Sequence, residues 1–380
     1  MHAARPQSHQ REAAARILGY VQGSEILALE LNTAEFGSAL HELDRAARLA
    51  KPGAARDAIA ALRTSAAACI ARDGERLRAP LDALSERRRA DQLGGLRALV
   101  QPLAREADRL AGSSRAAAHF LAAVPDSPHI QDDYSLRCFP SVVATAWRAL
   151  EHAAQVVVCE CNSANDNPLL FPPEPPSPAS DYAAWLRSSP QILDACVDGV
   201  IGGGNFHGQP VSAAADALAC ALAATGNIVE RRIAHLVDAH HSRGLPAFLV
   251  RDGGLDSGFM LAQYTAAALV SENKVLCHPA SVDSVPTCAN TEDHVSMGTI
   301  AARKARVVHD HVATIVAIEL LLGAQAMPFR APLRPGTGVA KACAVISARI
   351  PHRERDEALA PAIDAAKALL VDQALLDVLA

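Results

Sequence analysis

Apolar residues recur along most of the chain at the three- and four-residue spacing of α-helices, whereas alternating runs of β-branched residues are nearly absent. In the N-terminal third, amphipathic stretches separated by Gly- and Pro-containing breaks cover residues 11–50, 54–72 and 80–123. This pattern predicts an all-α protein whose N-terminal part forms a helical layer.

Three longer apolar stretches follow, and they predict a central bundle of long helices. They are Val211–His241, Ser257–Leu276 and Thr291–Met327. The most apolar segment, residues 313–327, is shorter than the roughly 20 residues that span a bilayer, so we interpret it as a buried helix and expect no membrane association.

The composition also suggests a division of the chain. We expect a helical layer over residues 1–130, a helix-bundle core over 131–330 and a C-terminal helical segment over 331–380. Repeated prolines interrupt the core at residues 167–200, which predicts a surface insertion. This insertion is either a tolerated loop or a lid or partner contact.

Overall composition excludes several classes of protein. The 380 residues are 50% hydrophobic and 20% charged, which suffices for a large core. A net charge of −5 and an aromatic content of 4% argue against nucleic acid as a partner. Nine scattered cysteines without a C-x-x-C pair, and an N-terminus without a secretion signal, predict a cytoplasmic protein with reduced thiols and no metal.

Candidate chemistry begins in the segment QDDYSLRCFP, where Gln131, Tyr134 and Arg137 recur every three residues and share one face of a helix. An arginine can bind a carboxylate through two parallel hydrogen bonds, and a tyrosine hydroxyl can pass a proton. The three residues could therefore hold an amino acid. In the alternative interpretation, Arg137 pairs with a nearby acid (Asp132, Asp133 or Glu160) and Tyr134 lies in the core.

Three further segments are rich in turn-forming or polar residues. NSANDNPLL, residues 162–170, is typical of a capped loop. GGGNFHGQPV, residues 202–211, places Asn205 and Phe206 just before a long helix, whose first backbone amides could stabilise an anion.

The third of these segments, PTCANTEDHVSMG, covers residues 286–298. In it Asn290 and Asp293 have the spacing of a capping box at the start of the next helix. Glu292 is then either available to a site or a carboxylate favoured by the first turn of that helix.

Taken in order, QDDYSLRCFP, NSANDNPLLF, GGNFHGQPV, NIVERRI, GFMLAQYTAAALVSENK and SVDSVPTCANTEDHVSMG resemble the histidine, phenylalanine and tyrosine ammonia-lyases and their aminomutase relatives. The resemblance is strong from about residue 131 to 298. It implies an all-α homotetramer of the ammonia-lyase superfamily, in which each active site is assembled from three chains and binds an aromatic amino acid.

The resemblance also implies roles for single residues. Tyr134 matches the tyrosine that acts on the substrate amine, and Arg137 matches the arginine that binds its carboxylate. Gln131 matches a glutamine one turn earlier, and Asn205 and Phe206 match residues beside the cofactor and the substrate ring. Glu292 matches an acid that contacts the substrate, and a glutamate there resembles the histidine enzymes more than the plant-type phenylalanine enzymes.

One feature of the family is missing. Its members form an electrophilic methylideneimidazolone group (MIO) by cyclising an internal Ala-Ser-Gly, and this sequence contains no Ala-Ser-Gly. The match to the family's Leu-Asn-Gly-Thr-Gln segment is also imperfect, because an ungapped alignment puts Leu31 where asparagine is expected, and Asn32 takes that place only with a one-residue shift. The resemblance implies that the chain corresponds to the C-terminal portion of these enzymes, and that a proton-removing tyrosine and a residue selecting the substrate side chain lie upstream of Met1.

Three hypotheses follow from the missing tripeptide. In the first, the chain is a subunit that needs an MIO-bearing partner. In the second, it is a truncated homologue without activity of its own, or a regulatory pseudoenzyme that joins a full-length relative. In the third, it is an amino-acid-binding protein that works without MIO. General acid-base groups contribute about 100- to 10,000-fold to a rate, below the accelerations of whole enzymes, which begin near ~10⁶-fold. We therefore expect no lyase turnover from this chain alone. Its sequence is compatible with both ammonia-lyase and aminomutase activity of an assembly that contains MIO.

Overall fold

The computed structural model describes residues 8–21, 56–64, 105, 109, 132–171, 184, 187, 199–242, 245–330 and 334–379. Within these residues the protein is mostly helical, so the predicted all-α class is confirmed. The helices are α1 (Ser8–Val21), α2 (Tyr134–Arg137), α3 (Phe139–Cys161), α4 (Gln209–Val237), α5 (Met260–Leu276), α6 (Gly298–Ala326), α7 (Thr337–Arg349), α8 (Ala360–Val371) and α9 (Ala374–Leu379).

Residues 56–64 are helical as well, within the predicted 54–72 stretch. Short 3₁₀ turns occur at Ala247–Leu249, Cys288–Asn290 and Met327–Arg330. The two strands are β1 (Leu169–Leu170) and β2 (Val200–Ile201), which pair antiparallel with Leu169 opposite Ile201. This pairing joins the two ends of the proline-rich insertion, most of which lies outside the described residues.

The long helices agree with the apolar pattern except at their starts and ends. Helix α4 begins two residues earlier than predicted and ends at Val237. Helix α6 begins at Gly298, seven residues after the predicted start at Thr291. The capping box predicted at Asn290 was therefore wrong: the backbones of Thr287 and Glu292 bond to each other in an antiparallel bridge, which closes a loop instead of starting a helix.

The chain divides into two compact units, each discontinuous in sequence. Unit 1 comprises residues 1–144, 223–273 and 310–380, and unit 2 comprises residues 145–222 and 274–309. All four boundaries between the units fall inside helices, namely α3, α4, α5 and α6. The division into residues 1–130, 131–330 and 331–380 stays a prediction.

The hydrophobic core of unit 1 is formed by the C-terminal half of α4, by α5 and α6, and by the three helices that follow. Several of its large side chains, including Phe259, Ile318 and Leu322, are at most 1% exposed. Gln325 lies among them and is fully satisfied, because its amide donates to the carbonyls of Leu249 and Arg353 and accepts from the Arg353 amide. Burial of this apolar surface is the main force that holds the long helices together.

Unit 2 contains a polar contact that fixes the start of the segment between α5 and α6. Asp216, on α4, is 5% exposed, and its carboxylate accepts a 2.7 Å hydrogen bond from the Ser281 amide. Lys304, on α6, lies 3.6 Å from the same carboxylate and donates to the His278 carbonyl. One buried acid thus connects two helices and the segment that leads to Glu292.

Among the residues that the structure describes, two helical stretches are long and apolar enough, by length and composition, to cross a membrane. They span Gln209–Val237 and Gly298–Arg330, and 39% and 44% of their most apolar windows are buried. The core helices of large helical proteins pass the same test, so this observation is weak evidence for a membrane span. The absence of membrane association stays a prediction.

Candidate functional site

The first predicted site motif folds into a single helical turn, α2, which we call the YSLR turn. The amides of Leu136 and Arg137 both donate to the Asp133 carbonyl, at 3.0 and 3.1 Å. The Arg137 guanidinium lies 5.0 Å from the centre of the Tyr134 ring, a cation-π distance. The sequence prediction that these two side chains share a face is therefore confirmed, whereas Gln131 lies outside the described residues.

The alternative interpretation of this motif does not hold. Tyr134 is 72% exposed, so it is not a core residue. Arg137 is bonded through Nε to the backbone carbonyl of Asp132 at 2.8 Å and not to a carboxylate. In the described part of the chain, its two terminal nitrogens have no recorded partner and remain available for a planar, two-oxygen ligand.

Two residues for which the sequence predicted no role at the site contact the YSLR turn from α4. Arg232 donates to the Ser135 carbonyl at 3.3 Å, and His235 lies 3.2 Å from the Asp133 carboxylate. Their three-residue spacing was the available signal, because it places both on one face of a helix. The sequence Glu230-Arg231-Arg232 does not show which of the two arginines is buried against the YSLR turn.

The other predicted motifs meet within unit 2, in what we call the loop cluster, residues 162–171, 199–208 and 281–297. The Asn167 side-chain oxygen accepts from the Gly203 amide at 3.1 Å, and Asn205 donates from its side chain to the Ala164 carbonyl at 3.2 Å. The NSANDNPLL segment, residues 162–170, is therefore hydrogen-bonded to the glycine-rich segment through both backbone and side-chain groups.

The glycine-rich segment is also attached to the segment that carries Glu292. The ring of His207 stacks on that of His294 with centres 5.4 Å apart, and its Nε2 lies 3.2 Å from the His294 carbonyl. A Cβ added to Gly208 would lie 2.9 Å from Ser296 Oγ, so a side chain at this position would displace the serine. The close approach explains the glycine in physical terms.

The start of α4 is less open to an anion than the sequence indicated. The Gln209 amide, the first of the helix, donates to His207 Nδ1 at 3.3 Å. Phe206 is 56% exposed and lies in the turn that precedes the helix. Asn205 and Phe206 are thus presented at the beginning of the long helix, as predicted.

Glu292 is exposed, at the end of the bridged loop. Its carboxylate accepts a hydrogen bond from the Thr287 hydroxyl, and its amide donates to the Thr287 carbonyl at 3.3 Å. Three residues of this loop, Cys288, Ala289 and Asn290, have positive φ angles of 50°, 52° and 76°. Such angles cost energy in non-glycine residues, and strained loops of this kind are common at functional sites.

Asn205, Phe206 and Glu292 therefore belong to one compact unit, in neighbouring segments of the loop cluster. Tyr134 and Arg137 belong to the other unit, where the YSLR turn brings them together. The roles of these five residues, and of Gln131, stay predictions.

The seven cysteines in the described residues are all free thiols. Burial raises the pKa of Cys277 from 9.0 to about 11, and the neighbouring Cys220 adds to the increase. No group of three or more His, Cys, Asp or Glu side chains in the described part of the chain is arranged to hold a metal ion. The expected absence of a metal and the expected cytoplasmic location stay predictions.

Comparison with known proteins places this geometry in context. The sequence pattern of the family described as aromatic amino acid lyase matches residues 60–348, which is most of the chain. The chain belongs to the aromatic amino acid lyase family. Among its relatives, the histidine ammonia-lyase of Symbiobacterium thermophilum is 49% identical over 265 residues, which are 70% of this chain and 46% of the relative. That of Aromatoleum aromaticum is 50% identical over 242 residues, 64% of this chain and 41% of the relative.

Solved structures of this lyase family share the fold. The histidine ammonia-lyase of Trypanosoma cruzi has a TM-score of 0.57 at 32% identity, covering 98% of this chain and 56% of that one. The tyrosine aminomutase of Streptomyces globisporus has a TM-score of 0.59 at 28% identity, covering 97% of this chain and 61% of that one. The chain spans about half the length of the curated relatives that it matches.

Proposed function

We propose that this chain supplies the substrate-holding residues of an ammonia-lyase site for histidine or a related aromatic amino acid. The observation that carries the proposal is the YSLR turn, in which the Arg137 guanidinium lies beside the Tyr134 ring and its terminal nitrogens bond to none of the residues that the structure describes. An amino acid offers the matching groups, since its carboxylate accepts two parallel hydrogen bonds and its amine exchanges protons.

In the proposed reaction, the bond from Cα to nitrogen and a bond from Cβ to hydrogen break, a carbon–carbon double bond forms, and ammonia leaves. Arg137 binds the carboxylate, and the Tyr134 hydroxyl moves a proton at the amine. Gln131 adds a polar contact to the substrate, and Phe206 packs against the substrate ring. Asn205 lies near the electrophile, and Glu292 contacts the substrate.

The electrophile itself does not fit this chain. MIO is made from Ala-Ser-Gly, which occurs nowhere in the 380 residues. The loop cluster does not offer a replacement, because its Gly203 amide is bonded to Asn167 and the Asn205 side chain to Ala164. We propose that the electrophile comes from polypeptide outside these 380 residues, and we assign no step of the reaction to a group formed within them.

The proposed assembly is a tetramer, either of this chain or with an MIO-bearing subunit. Helix α3 supports the proposal, because its second half exposes apolar side chains seven and eight residues apart, a spacing that returns to the same helix face after two turns. Leu150, Val157 and Val158 are 56%, 47% and 61% exposed. A second chain that covered this face would remove the apolar surface from water.

Complementation tests the proposed function. The partner in this experiment is a full-length histidine ammonia-lyase whose own YSLR tyrosine is replaced by phenylalanine, a change that should leave its MIO in place and abolish its activity. Co-expressed with this chain, it should form mixed assemblies that convert L-histidine to the unsaturated acid. Turnover should return with the wild-type chain and stay absent with Tyr134→Phe, while this chain alone should show none.

Each result decides a separate claim. Turnover by the purified chain alone would reject the outside source of the electrophile. Mixed assemblies that form but stay inactive would reject the substrate-holding role. Light scattering of each preparation shows whether the assemblies have formed, so a failure to associate is not mistaken for a failure of chemistry.

The missing tripeptide favours one second candidate, amino-acid binding without elimination. Calorimetry of the purified chain with L-histidine, L-tyrosine and L-phenylalanine tests it. Binding that is abolished by Arg137→Ala, together with inactive mixed assemblies, would favour this candidate over the lyase. Arg306→Gln, an exposed arginine on α6, controls for the loss of a positive charge.

A further inference from the structure

The YSLR turn is too short to hold its own shape. A single helical turn fixes several backbone angles for few hydrogen bonds and is unstable in isolation. Asp133, at its N-cap, makes no side-chain cap hydrogen bond. The orientation of Tyr134 and Arg137 must therefore come from contacts with the rest of unit 1.

Arg232 on α4 makes the most extensive of these contacts. Its guanidinium binds both carboxylate oxygens of Glu319 on α6, through Nε to one and through Nη2 to the other, the latter at 2.9 Å. The remaining nitrogen, Nη1, donates to the Ser135 carbonyl, in the middle of the YSLR turn, at 3.3 Å. Only the planar, three-nitrogen fork of arginine can satisfy both partners from one position.

The surroundings of Arg232 fix its side chain. Its guanidinium lies 4.1 Å from the centre of the Phe139 ring, the first residue of α3. The side chains of Arg232 and Glu319 are only 13% and 23% exposed, so the pair is largely withdrawn from solvent screening. Arg232 thus ties two long helices to the residues on both sides of Arg137.

His235 makes a second contact from the same face of α4. Its Nδ1 lies 3.2 Å from the Asp133 carboxylate, which explains why this N-cap carboxylate does not bond to the amides of its own turn. The His235 ring stacks on that of His241, with centres 4.9 Å apart. The YSLR turn is therefore held at its N-cap by His235 and at its second residue by Arg232.

We propose that Arg232 and His235 are positioning residues that set the orientation of Tyr134 and Arg137, with Glu319 holding the Arg232 fork. The consequence for the site rests on the proposed function, because it supposes that Tyr134 and Arg137 act on an amino acid. The effect should be large, since a displacement of about 1 Å in a substrate-holding group can cost a hundredfold in rate.

Two variants separate positioning from stability. Arg232→Lys keeps the charge but lacks the fork, and the double variant Arg232→Met/Glu319→Leu removes both charges and leaves an apolar pair to pack against Phe139. Hydrogen exchange of residues 132–138 in the purified chain should become about tenfold faster in both. His235→Gln should accelerate the same segment, and Arg306→Gln should leave it unchanged.

The kinetic readout uses the mixed assembly with the MIO-bearing subunit. Arg232→Lys should raise KM for L-histidine and lower kcat/KM by about ten- to a hundredfold, while the melting temperature stays close to that of the wild type. Arg137→Ala should raise KM by a smaller factor in the Arg232→Lys background than in the wild type, because an Arg137 that is already misplaced contributes less to substrate binding. A purely structural role would change the melting temperature and leave KM and this coupling unaffected.

The outcomes are separable. If hydrogen exchange of residues 132–138 is as slow in the folded double variant as in the wild type, the positioning role is wrong. This conclusion does not depend on the turnover of the mixed assembly. Additive effects of Arg137→Ala and Arg232→Lys on KM would overturn it as well. An inactive wild-type assembly would reject the proposed lyase function, and the exchange measurements would still decide whether Arg232 and His235 hold the turn.

Discussion

The YSLR turn and the loop cluster hold their predicted site residues in opposite ways. The turn is fixed by long, charged side chains that reach it from helices, and the central ion pair, Arg232 with Glu319, is mostly buried. The loop cluster is fixed by short amide and hydroxyl side chains, which bond to neighbouring backbone or, for Thr287, to the Glu292 carboxylate, at positions that are mainly exposed.

The difference has an energetic meaning. Breaking a buried ion pair leaves an uncompensated charge and is expensive, whereas an exposed hydrogen bond can be replaced by water. Single substitutions in the contacts that hold the YSLR turn should therefore lower the free energy of unfolding by a large amount. Single substitutions in the loop cluster should each lower it only slightly.

Glu319→Leu should have the largest effect, because it leaves the Arg232 guanidinium without its carboxylate. We expect the free energy of unfolding to fall by about 3 kcal/mol, as for other broken buried pairs. The measurement is urea denaturation followed by circular dichroism. The double variant Arg232→Met/Glu319→Leu should recover at least half of the loss, and a double variant as unstable as the single one would show that packing, not charge, is responsible.

In the loop cluster, Gly208→Ala should cost about 1 kcal/mol, because the new Cβ must displace a serine hydroxyl that can rotate away. The matched variant is Gly208→Ala/Ser296→Ala, which removes the hydroxyl. Its stability should lie close to that of Ser296→Ala alone. If the double variant is no more stable than Gly208→Ala, the close approach of Ser296 is not the reason that a side chain at residue 208 is destabilising.

Glu292→Gln should change stability by less than about 0.5 kcal/mol, because the side chain is exposed and glutamine can still accept from Thr287. Turnover of L-histidine in the mixed assembly should nevertheless fall by at least about tenfold if the carboxylate contacts the substrate. Equal turnover in the Glu292→Gln assembly would remove this residue from the proposed site.

The smallest effect concerns Cys277, whose pKa is raised from 9.0 to about 11 by burial and by Cys220. The folded chain retains this proton more strongly than the unfolded chain does. The stabilisation it represents is therefore fully present below pH 9 and is lost as the pH rises from 9 towards 11. At pH 8, Cys277 should be among the last thiols that iodoacetamide labels, as mass spectrometry of tryptic peptides would show.

Much of the fold could be predicted because the long helices carry continuous apolar patterns. The positions of α4, α5 and α6 followed from periodicity alone, to within a few residues at most ends. The start of α6 did not, because Asn290 and Asp293 have the spacing of a capping box while the backbone bridge between Thr287 and Glu292 forms a loop instead. Local spacing cannot reveal a bond of this kind.

The site was predictable to the extent that its residues are close in sequence. Tyr134 and Arg137 are three residues apart, so helical geometry alone brought them together. Arg232 and Glu319 are 87 positions apart, and nothing local distinguishes Arg232 from its exposed neighbour Arg231. Only the packing of α4 against α6 makes one arginine a structural contact and leaves the other at the surface.

The four unit boundaries, all inside helices, have a practical consequence for anyone who cuts this chain. No surface loop separates unit 1 from unit 2, so a protease or a cloning junction that isolates either one must break the backbone hydrogen bonds of α3, α4, α5 and α6. Neither unit is therefore a transferable module. In evolution, recombination could exchange the proline-rich insertion, but the YSLR turn and the loop cluster must be inherited together.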